Sequence, residues 1–272
     1  MNKKVLGIAI PYWKNTAQCE KPFQDLMEQI SSQITNDMFL YIYEDGQYSE
    51  WLDKYSCDNI KIISNLTNMG VSYARNQCLD YLKDKVLYIL FLDSDDRIDD
   101  DYLKTMYEYC ADNTHEIIES GLYVKDQKFT YNPKVVRCGV AGSAIQTKII
   151  GDNKFNEHLQ IGEDTDFMHQ VCDLKKYRKK FAPTYYHYQL GINDHSLTMS
   201  YQRNLIEKER KWKMTDREKA SLNYYLTLLR NRITIMLIEE GEFMSPEIEN
   251  EYEDLIDAIN KIMKLNLIEG DK

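Results

Sequence analysis

A short apolar run that ends abruptly in carboxylates is the feature that most constrains the fold of this chain. Residues Tyr88–Leu92 are apolar, and the segment Asp93–Asp96, of sequence Asp-Ser-Asp-Asp, follows directly. Because unpaired charge cannot be hidden inside a buried strand, we expect the carboxylates to emerge at its carboxyl end. In open α/β sheets that end carries the ligand site. Carboxylate oxygens there favour Mg²⁺ or Mn²⁺ held jointly with a phosphorylated substrate.

The alternation of apolar runs with segments of helical periodicity predicts the surrounding architecture. Through about residue 115, each apolar run ends at a turn or a carboxylate-rich loop, and a helix-like stretch follows it. This order is typical of a mainly parallel central sheet with right-handed crossovers, so the predicted class is α/β. The predicted strands are Val5–Ile10, Met38–Tyr43, Ile60–Ser64 and Val86–Leu92, and the predicted helices include Ser72–Leu82 and Asp99–Cys110.

The pattern changes twice along the rest of the chain. After residue 115 come short strand-like pieces, among them Lys134–Val140, then a helix near Asp164–Leu174 and a tyrosine-rich run at Phe181–Leu190. From about residue 201 the pattern is that of long amphipathic helices, with a predicted helix start at Ser245-Pro246. We therefore divide the chain into residues 1–115, residues 116–200 and a C-terminal helical extension at residues 201–272.

Composition argues against several classes of protein. The 272 residues carry 44 acidic and 34 basic side chains, a net charge of -10, so general affinity for nucleic acid is not expected. The six cysteines form no Cys-x-x-Cys pair, which predicts reduced thiols in a cytosolic protein. The apolar start before Pro11 is too short for a signal peptide, and polar residues interrupt the run Tyr224–Ile238. No membrane span is therefore predicted.

Three further motifs accompany the acidic segment. Tyr43–Gly46 places two carboxylates after the second predicted strand, Asn68–Asn76 combines a glycine with Ala-Arg-Asn, and Gly162–Phe167 is rich in carboxylates. Glycine lets a backbone approach a ligand closely, and a guanidinium matches a phosphate with two hydrogen bonds. Three of the four motifs also have a structural explanation when taken alone: helix capping for Asp93–Asp96, a solvated helix face for Ala-Arg-Asn, and an acidic helix start for Gly162–Phe167.

In this order the motifs resemble those of family 2 glycosyltransferases of the GT-A fold, and the resemblance runs from Ile8 to about Thr198. It implies a Rossmann-like nucleotide-diphospho-sugar transferase fold. Residues 1–115 would then form the nucleotide-sugar-binding half, and residues 116–200 the acceptor-binding half with the catalytic base. Glu44 and Gln47 stand where the family commonly has aspartate and serine. The residues that the resemblance assigns to the nucleotide sugar are Pro11, Tyr12, Glu44, Asp45, Asn68, Gly70, Arg75, Asp93 and Ser94.

The resemblance also implies catalytic and metal-binding residues. A carboxylate at a helix start, in a partly dry cleft, can be basic enough to accept a proton from an acceptor hydroxyl. Asp164 is the predicted base, with Glu163 second. Asp95, in a DXD motif, is the predicted ligand of Mn²⁺ or Mg²⁺, and related enzymes use a histidine as a third ligand. His187 and His195 are both candidates, although a histidine beside tyrosines also serves as a packing residue.

The sequence thus predicts a metal-dependent, inverting glycosyltransferase. A nucleoside-diphosphate sugar, with UDP favoured, is the expected donor, and a glycan, polymer or lipid-linked acceptor in surface glycan or polysaccharide synthesis is expected. Two alternatives stay open, a haloacid-dehalogenase-type phosphatase using Asp93 and Asp95 and an inactive nucleotide-sugar-binding protein. A cytoplasmic location is expected. A contact of the C-terminal helices with the inner face of the membrane, or with a second copy of the chain, is left open.

Overall fold

A mixed β-sheet organises the part of the chain that the computed structural model describes, residues 3–14, 20–124, 127–129, 139–159, 162–173 and 176–189. The strands are β1 (Lys4–Tyr12), β2 (Met38–Asp45), β3 (Ile60–Asn65), β4 (Val86–Phe91), β5 (Arg97–Ile98), β6 (Ile117–Val124), β7 (Gln127–Phe129), β8 (Ser143–Gln146) and β9 (Lys179–Tyr188). The helices are α1 (Glu20–Gln33), α2 (Val71–Leu82), α3 (Tyr102–Ala111), α4 (Thr147–Ile150) and α5 (Glu163–Val171), and a 3₁₀ helix spans Glu50–Tyr55.

The sheet has a parallel half and a largely antiparallel half. Its strand order is β3-β2-β1-β4-β8-β6-β9-β5, with β7 paired to β6. The first four strands in this order are parallel, as the alternating pattern predicted. β8 is antiparallel to both β4 and β6, and β9 is parallel to β6. Consequently β4, β6 and β9 point the same way, and their carboxyl ends meet at one edge of the sheet.

Two hydrophobic cores cover the two faces of this sheet. Strand β4 is buried on both sides, because Leu90 packs in the first core and Phe91 packs in the second. The first core contains the apolar faces of α1 and α3, and the second contains those of α2 and α5. Phe23 on α1 and Phe167 on α5 represent the two cores, and both are fully buried. Helices α2 and α5 therefore lie on the same face of the sheet.

A register shift interrupts the pairing of β6 with β9. Ser120 pairs with Ala182, but the next residue, Gly121, pairs with Tyr185. Two extra residues of β9, Pro183 and Thr184, therefore lie opposite a single step of β6. Proline fits such a position because it has no N–H group to donate to the ladder.

The structure refines several predicted elements. The predicted helix at Asp164–Leu174 begins one residue earlier and ends at Val171, while the short strands β5 and β8 have no counterpart in the prediction. Most of the predicted strand at Lys134–Val140, and all of the extension at 201–272, lie outside the described residues. Within the described ranges, no helix is long and apolar enough to cross a bilayer. The cysteines that the structure describes there are free thiols.

Candidate active site

Arg75 joins the carboxylates of two motifs that are far apart in sequence. Its Nη1 donates to Oε1 of Glu163 at 2.7 Å, and its Nη2 donates to Oδ1 of Asp93 at 3.0 Å. The guanidinium carbon also lies 5.4 Å from the ring centroid of Phe155, and Arg75 is only 5% exposed. Burial works against its charge, but Asp93, Glu163 and Asp164 outweigh that effect and raise the pKa of the guanidinium. Arg75 thus stays charged and holds the end of β4 against the start of α5.

Asp164 has the acid–base properties of a proton acceptor. It is the second residue of α5, which begins after Gly162 in the left-handed region at φ 82°. Burial, and then the charge of Glu163, raise the pKa of Asp164 to about 7, although Arg75 and the N–H of Thr165 act in the opposite direction. That N–H donates to Oδ1 at 2.7 Å. A carboxylate with a pKa near neutrality both accepts and releases a proton readily.

The acidic segment after β4 is held in place by β9. The Tyr186 hydroxyl accepts from the backbone N–H of Asp93 at 3.1 Å and donates to Oδ2 of Asp96. The other oxygen of Asp96 accepts from the N–H of Gln189 at 2.7 Å. Burial, followed by the charges of Asp93 and Asp95, raises the pKa of Asp96. Both oxygens of Asp96 are therefore used to hold the turn. The carboxylate of Asp95, next to it in sequence, is the one left for a ligand.

The donor set around Asp95 fits a hard divalent cation. Burial and the nearby charge of Asp93 raise the pKa of Asp95 to about 6, and a cation would relieve the repulsion between these carboxylates. Within the part of the chain that the structure describes, no three His, Cys, Asp or Glu side chains converge on one point. The protein would thus supply few ligands, as is usual for Mg²⁺ bound together with substrate phosphates.

His187, the first histidine predicted as a metal ligand, has other partners. Its Nε2 lies 2.7 Å from Oδ1 of Asp99, and its ring stacks on Tyr123 with centroids 4.9 Å apart. Tyr186, the residue that reaches Asp96, is its neighbour in β9 and points to the opposite face. The structure does not bring His187 into the carboxylate cluster. The second candidate, His195, lies outside the described residues.

Asp45 shapes the glycine-containing loop beside the sheet edge. Its Oδ1 accepts from the N–H of Met69 at 2.8 Å, and its Oδ2 accepts from the N–H of Gly70 at 2.7 Å. Gly70 has φ 98°, and a Cβ there would meet no atom within 4 Å, so glycine is needed for its backbone angles. Burial raises the pKa of Asp45 while the two N–H groups oppose that rise. Asn68, in the same loop, is exposed.

Glu44 offers an unsatisfied acceptor at the end of β2. The residue is fully buried, its Oε2 accepts from the Ser64 hydroxyl at 2.5 Å, and its Oε1 has no hydrogen-bond partner among the described residues. The Nε2 of Gln47 is likewise a buried donor without a described partner. Buried polar atoms of this kind are normally paired with protein groups, ordered water or a ligand. The contact of Glu44 with the nucleotide stays a prediction.

The remaining predicted contacts differ in their accessibility. Pro11 is buried in β1 opposite Tyr43, and Ser94 is half-buried in the acidic segment. Tyr12 is 1% exposed, and its ring packs 4.2 Å from that of Phe23, centroid to centroid. The structure therefore places Tyr12 in the first core, and its contact with a nucleotide stays a prediction.

Two residues of the site escaped the sequence prediction. Asn76 donates from Nδ2 to the carbonyl of Phe155 at 3.0 Å and accepts from the N–H of the same residue at 2.8 Å. It thereby fixes the ring against which Arg75 lies. Tyr186 positions the acidic segment. Asn76 belongs to the Ala-Arg-Asn motif and Tyr186 to the tyrosine-rich run, but neither pattern identifies a hydrogen-bond partner 79 or 90 residues away.

The site and the fold agree with one protein family. The model of Glycosyl transferase family 2 matches residues 9–182, which include the acidic segment, Arg75 and Glu163-Asp164. The chain therefore belongs to glycosyl transferase family 2 and is a glycosyltransferase of the GT-A fold. The predicted family and fold are confirmed. Because the match includes Asp93 and Asp95, it favours the transferase over the phosphatase alternative.

Solved structures of S. aureus TarS share this fold. TarS 1–349 in complex with UDP-GlcNAc superimposes with a TM-score of 0.61 and 15% identity, over 93% of this chain and 71% of that one. TarS 1–349 alone superimposes with a TM-score of 0.58 and 15% identity, over 96% of this chain and 82% of that one. A longer TarS chain superimposes with a TM-score of 0.59 and 15% identity, over 89% of this chain and 46% of its own length. No curated protein sequence matches the chain.

Proposed function

We propose that this glycosyltransferase is metal-dependent and inverting, and that it transfers a sugar from a UDP-sugar to an acceptor hydroxyl in surface glycan synthesis. The observation that carries the proposal is the Arg75 bridge, because it brings Asp93, at the carboxyl end of β4, beside the Glu163-Asp164 pair. TarS, a protein of the same fold, has been crystallised with UDP and with UDP-GlcNAc, which supports a UDP-sugar donor.

The proposed roles follow from charge and position. Residues 1–115 hold the donor, with Glu44 and Asp45 at the nucleoside end and Asp93 and Asp95 at the diphosphate end. Residues 116–200 receive the acceptor, whose attacking hydroxyl gives its proton to Asp164. The sugar bond to the diphosphate breaks on the opposite face as the new bond forms, which inverts the anomeric centre.

The charges and pKa values in the site support these roles for Asp164 and Asp95. Asp164, with a pKa of about 7, can accept a proton at neutral pH, whereas the charge of Arg75 limits how far that pKa rises. Asp95 would hold Mn²⁺ or Mg²⁺, which supplies positive charge to the departing diphosphate when bound. Arg75 is already engaged by two carboxylates, so we assign it to positioning rather than to direct binding of phosphate.

Donor binding and turnover can be tested separately. Thermal shifts with UDP, GDP and UDP-sugars, each with and without Mn²⁺, should identify the donor. Asp164→Asn should bind that donor with an unchanged shift and should slow UDP release from it, with water as acceptor, by about 10²–10⁴-fold. Asp95→Ala should instead lose the Mn²⁺-dependent part of the shift. Asp100→Asn, an exposed aspartate next to the site, is the matched control and should match the wild type.

Three results would contradict the proposal. Full turnover by Asp164→Asn would remove that residue as the base. Binding of nucleotide sugars that is unaffected by Mn²⁺, in both the wild type and Asp95→Ala, would remove the metal site. A covalent phosphoenzyme at Asp93 would revive the phosphatase alternative, whereas the transferase predicts none.

A further inference from the structure

Three aromatic rings lie together at the far side of the sheet from β3. Tyr123 on β6 stacks on His187 of β9, with ring centroids 4.9 Å apart and an angle of 12° between the planes. Tyr185, also on β9, lies 4.9 Å from Tyr123 at 55°. All three side chains are partly exposed. We call Tyr123, Tyr185 and His187 the aromatic platform.

A glycine makes this arrangement possible. A Cβ added to Gly121 would lie 2.2 Å from Cε1 of Tyr185, so the ring rests directly on the backbone of β6. Only a residue without a side chain leaves that space. The ring position of Tyr185 is therefore built into the strand pair rather than left to a free rotamer.

Strand geometry places the platform on the same face of the sheet as the helix that carries the proposed base. Along β6, Ile118 packs in the first core and Ile117 in the second, so Tyr123 projects on the same face as Ile117. That face is the one covered by α5, the helix that starts with Glu163 and Asp164. Tyr123 also lies near the carboxyl end of β6, at the sheet edge where the acidic segment follows β4. The platform therefore shares its sheet face with α5 and its sheet edge with the acidic segment.

The distance between the platform and the end of β4 suits a second sugar of the acceptor, next to the sugar that reacts. β6 is two strands from β4, a separation on the order of 10 Å at the usual strand spacing. Tyr186, between Tyr185 and His187 in sequence, reaches the N–H of Asp93 at 3.1 Å, so the platform and the donor site share one strand. A chain of linked sugars can span a separation of this order between the end of β4 and the platform.

Polar groups at the rim complete the surface. Oδ1 of Asp99 lies 2.7 Å from the His187 ring nitrogen, and its side chain is 30% exposed. Nζ of Lys128 lies 4.2 Å from the Tyr185 centroid, and Lys128 is exposed. A pyranose ring has an apolar face of C–H groups and an edge of hydroxyls. Flat aromatic rings match the apolar face of the sugar, and a carboxylate with an ammonium group matches its hydroxyls.

We propose that the aromatic platform is a binding subsite for a pyranose ring of a glycan acceptor, one or more sugars away from the reacting hydroxyl. The Lys128 ammonium lies over the outer face of the Tyr185 ring, and because Lys128 is exposed it can move aside to donate to the sugar hydroxyls. Tyr123 and Tyr185 then provide the stacking surface, and Asp99 accepts from the sugar hydroxyls. The inference rests on the proposed function, since it takes Asp164 as the point where the acceptor reacts. It narrows the acceptor to a molecule with at least one pyranose ring.

A glycan-binding experiment tests the subsite directly. The full-length protein, saturated with UDP and Mn²⁺, is applied to an array of short oligosaccharides of glucose, galactose, mannose and N-acetylglucosamine. The wild type should bind at least one series, and Tyr123→Ala and Tyr185→Ala should each weaken that binding by about tenfold. Tyr123→Phe should retain it, because the ring remains. Tyr107→Ala, on α3 at the opposite face of the sheet, is the matched control and should bind like the wild type.

Each outcome decides for or against the subsite. Saturation-transfer NMR on the bound sugar should show the ring C–H protons closest to the protein in the wild type and lost contact in Tyr123→Ala. Equal binding by the wild type and both alanine variants would overturn the proposal, as would binding to none of the oligosaccharides. UDP-induced thermal shifts are measured on the same samples. If they persist while platform-dependent binding fails, the subsite is wrong and the proposed donor chemistry still stands.

Discussion

Replacing Asp164 by Asn should make the protein more stable and less active. The pKa of Asp164 rises from 3.8 to about 7 on folding, so between those values the unfolded chain releases a proton that the folded chain keeps. Stability is therefore lost as the pH rises through this window, and the loss is complete above about pH 7. Asn carries no charge at any pH and escapes this loss.

The size of the stability change follows from the pKa shift of Asp164. About three pKa units correspond to roughly 4 kcal/mol at about 1.36 kcal/mol per unit, which is an upper limit. Asp164 keeps partial contact with solvent, and the start of α5 favours negative charge by about 0.5 kcal/mol. We therefore expect a gain of about 1–2 kcal/mol for Asp164→Asn at pH 8, falling towards zero near pH 4.

Urea unfolding of the two proteins at pH 4.5, 6 and 8 measures this difference. Glu163→Gln is the contrasting variant, because it takes one charged partner from buried Arg75 and should cost about 1–3 kcal/mol. Two adjacent acidic residues are thus expected to change stability in opposite directions. A stability difference for Asp164→Asn that does not vary with pH, or a loss of stability at pH 8, would refute the reasoning.

Two other substitutions test how the site is held. Tyr186→Phe removes the hydroxyl that contacts Asp93 and Asp96, and it should weaken Mn²⁺-dependent UDP binding several-fold at a stability cost of about 1–2 kcal/mol. Calorimetric titration of UDP at several Mn²⁺ concentrations measures the first effect, and an unchanged dependence would contradict it. Gly46→Ala should destabilise by about 1–3 kcal/mol, since φ is 85° and the new Cβ would lie 2.8 Å from Cβ of Asn68. Thermal unfolding checks this, and a wild-type midpoint would speak against the strain.

The parallel half of the fold was predictable because its signals are local. Each of its buried strands is a continuous apolar run that ends at a turn or a carboxylate, and the helices between them have regular apolar spacing. β8 was not predictable in this way, because Ser143–Gln146 is short and carries a polar residue at each end. It is a strand through its pairing with Tyr88–Leu90 and Ile117–Glu119, which tertiary contacts alone provide.

The motifs name the residues of the candidate site, but they do not predict the contacts between those residues. The motifs point to Arg75, Asp93, Glu163 and Asp164, and they predict a contact of Arg75 with the base or diphosphate of the donor, which stays a prediction. They do not predict that Arg75 pairs with two carboxylates, as it does in the structure. A guanidinium suits phosphate and carboxylate equally well, so its residue type could not decide between them. Whether Arg75 meets Glu163 depends on where the fold places α5. That placement is set by the sheet and is not encoded in either motif.

The register shift between β6 and β9 has a consequence for how insertions in this sheet are tolerated. Because Pro183 and Thr184 add an even number of residues, Ala182 and Tyr186 still project to the same side, and Tyr185 and His187 to the other. An odd number would exchange the two sets and drive Tyr186 out of the core. Residues can therefore be added to or removed from β9 in pairs within the irregularity itself, while Tyr185 stays opposite Gly121, where its ring has space.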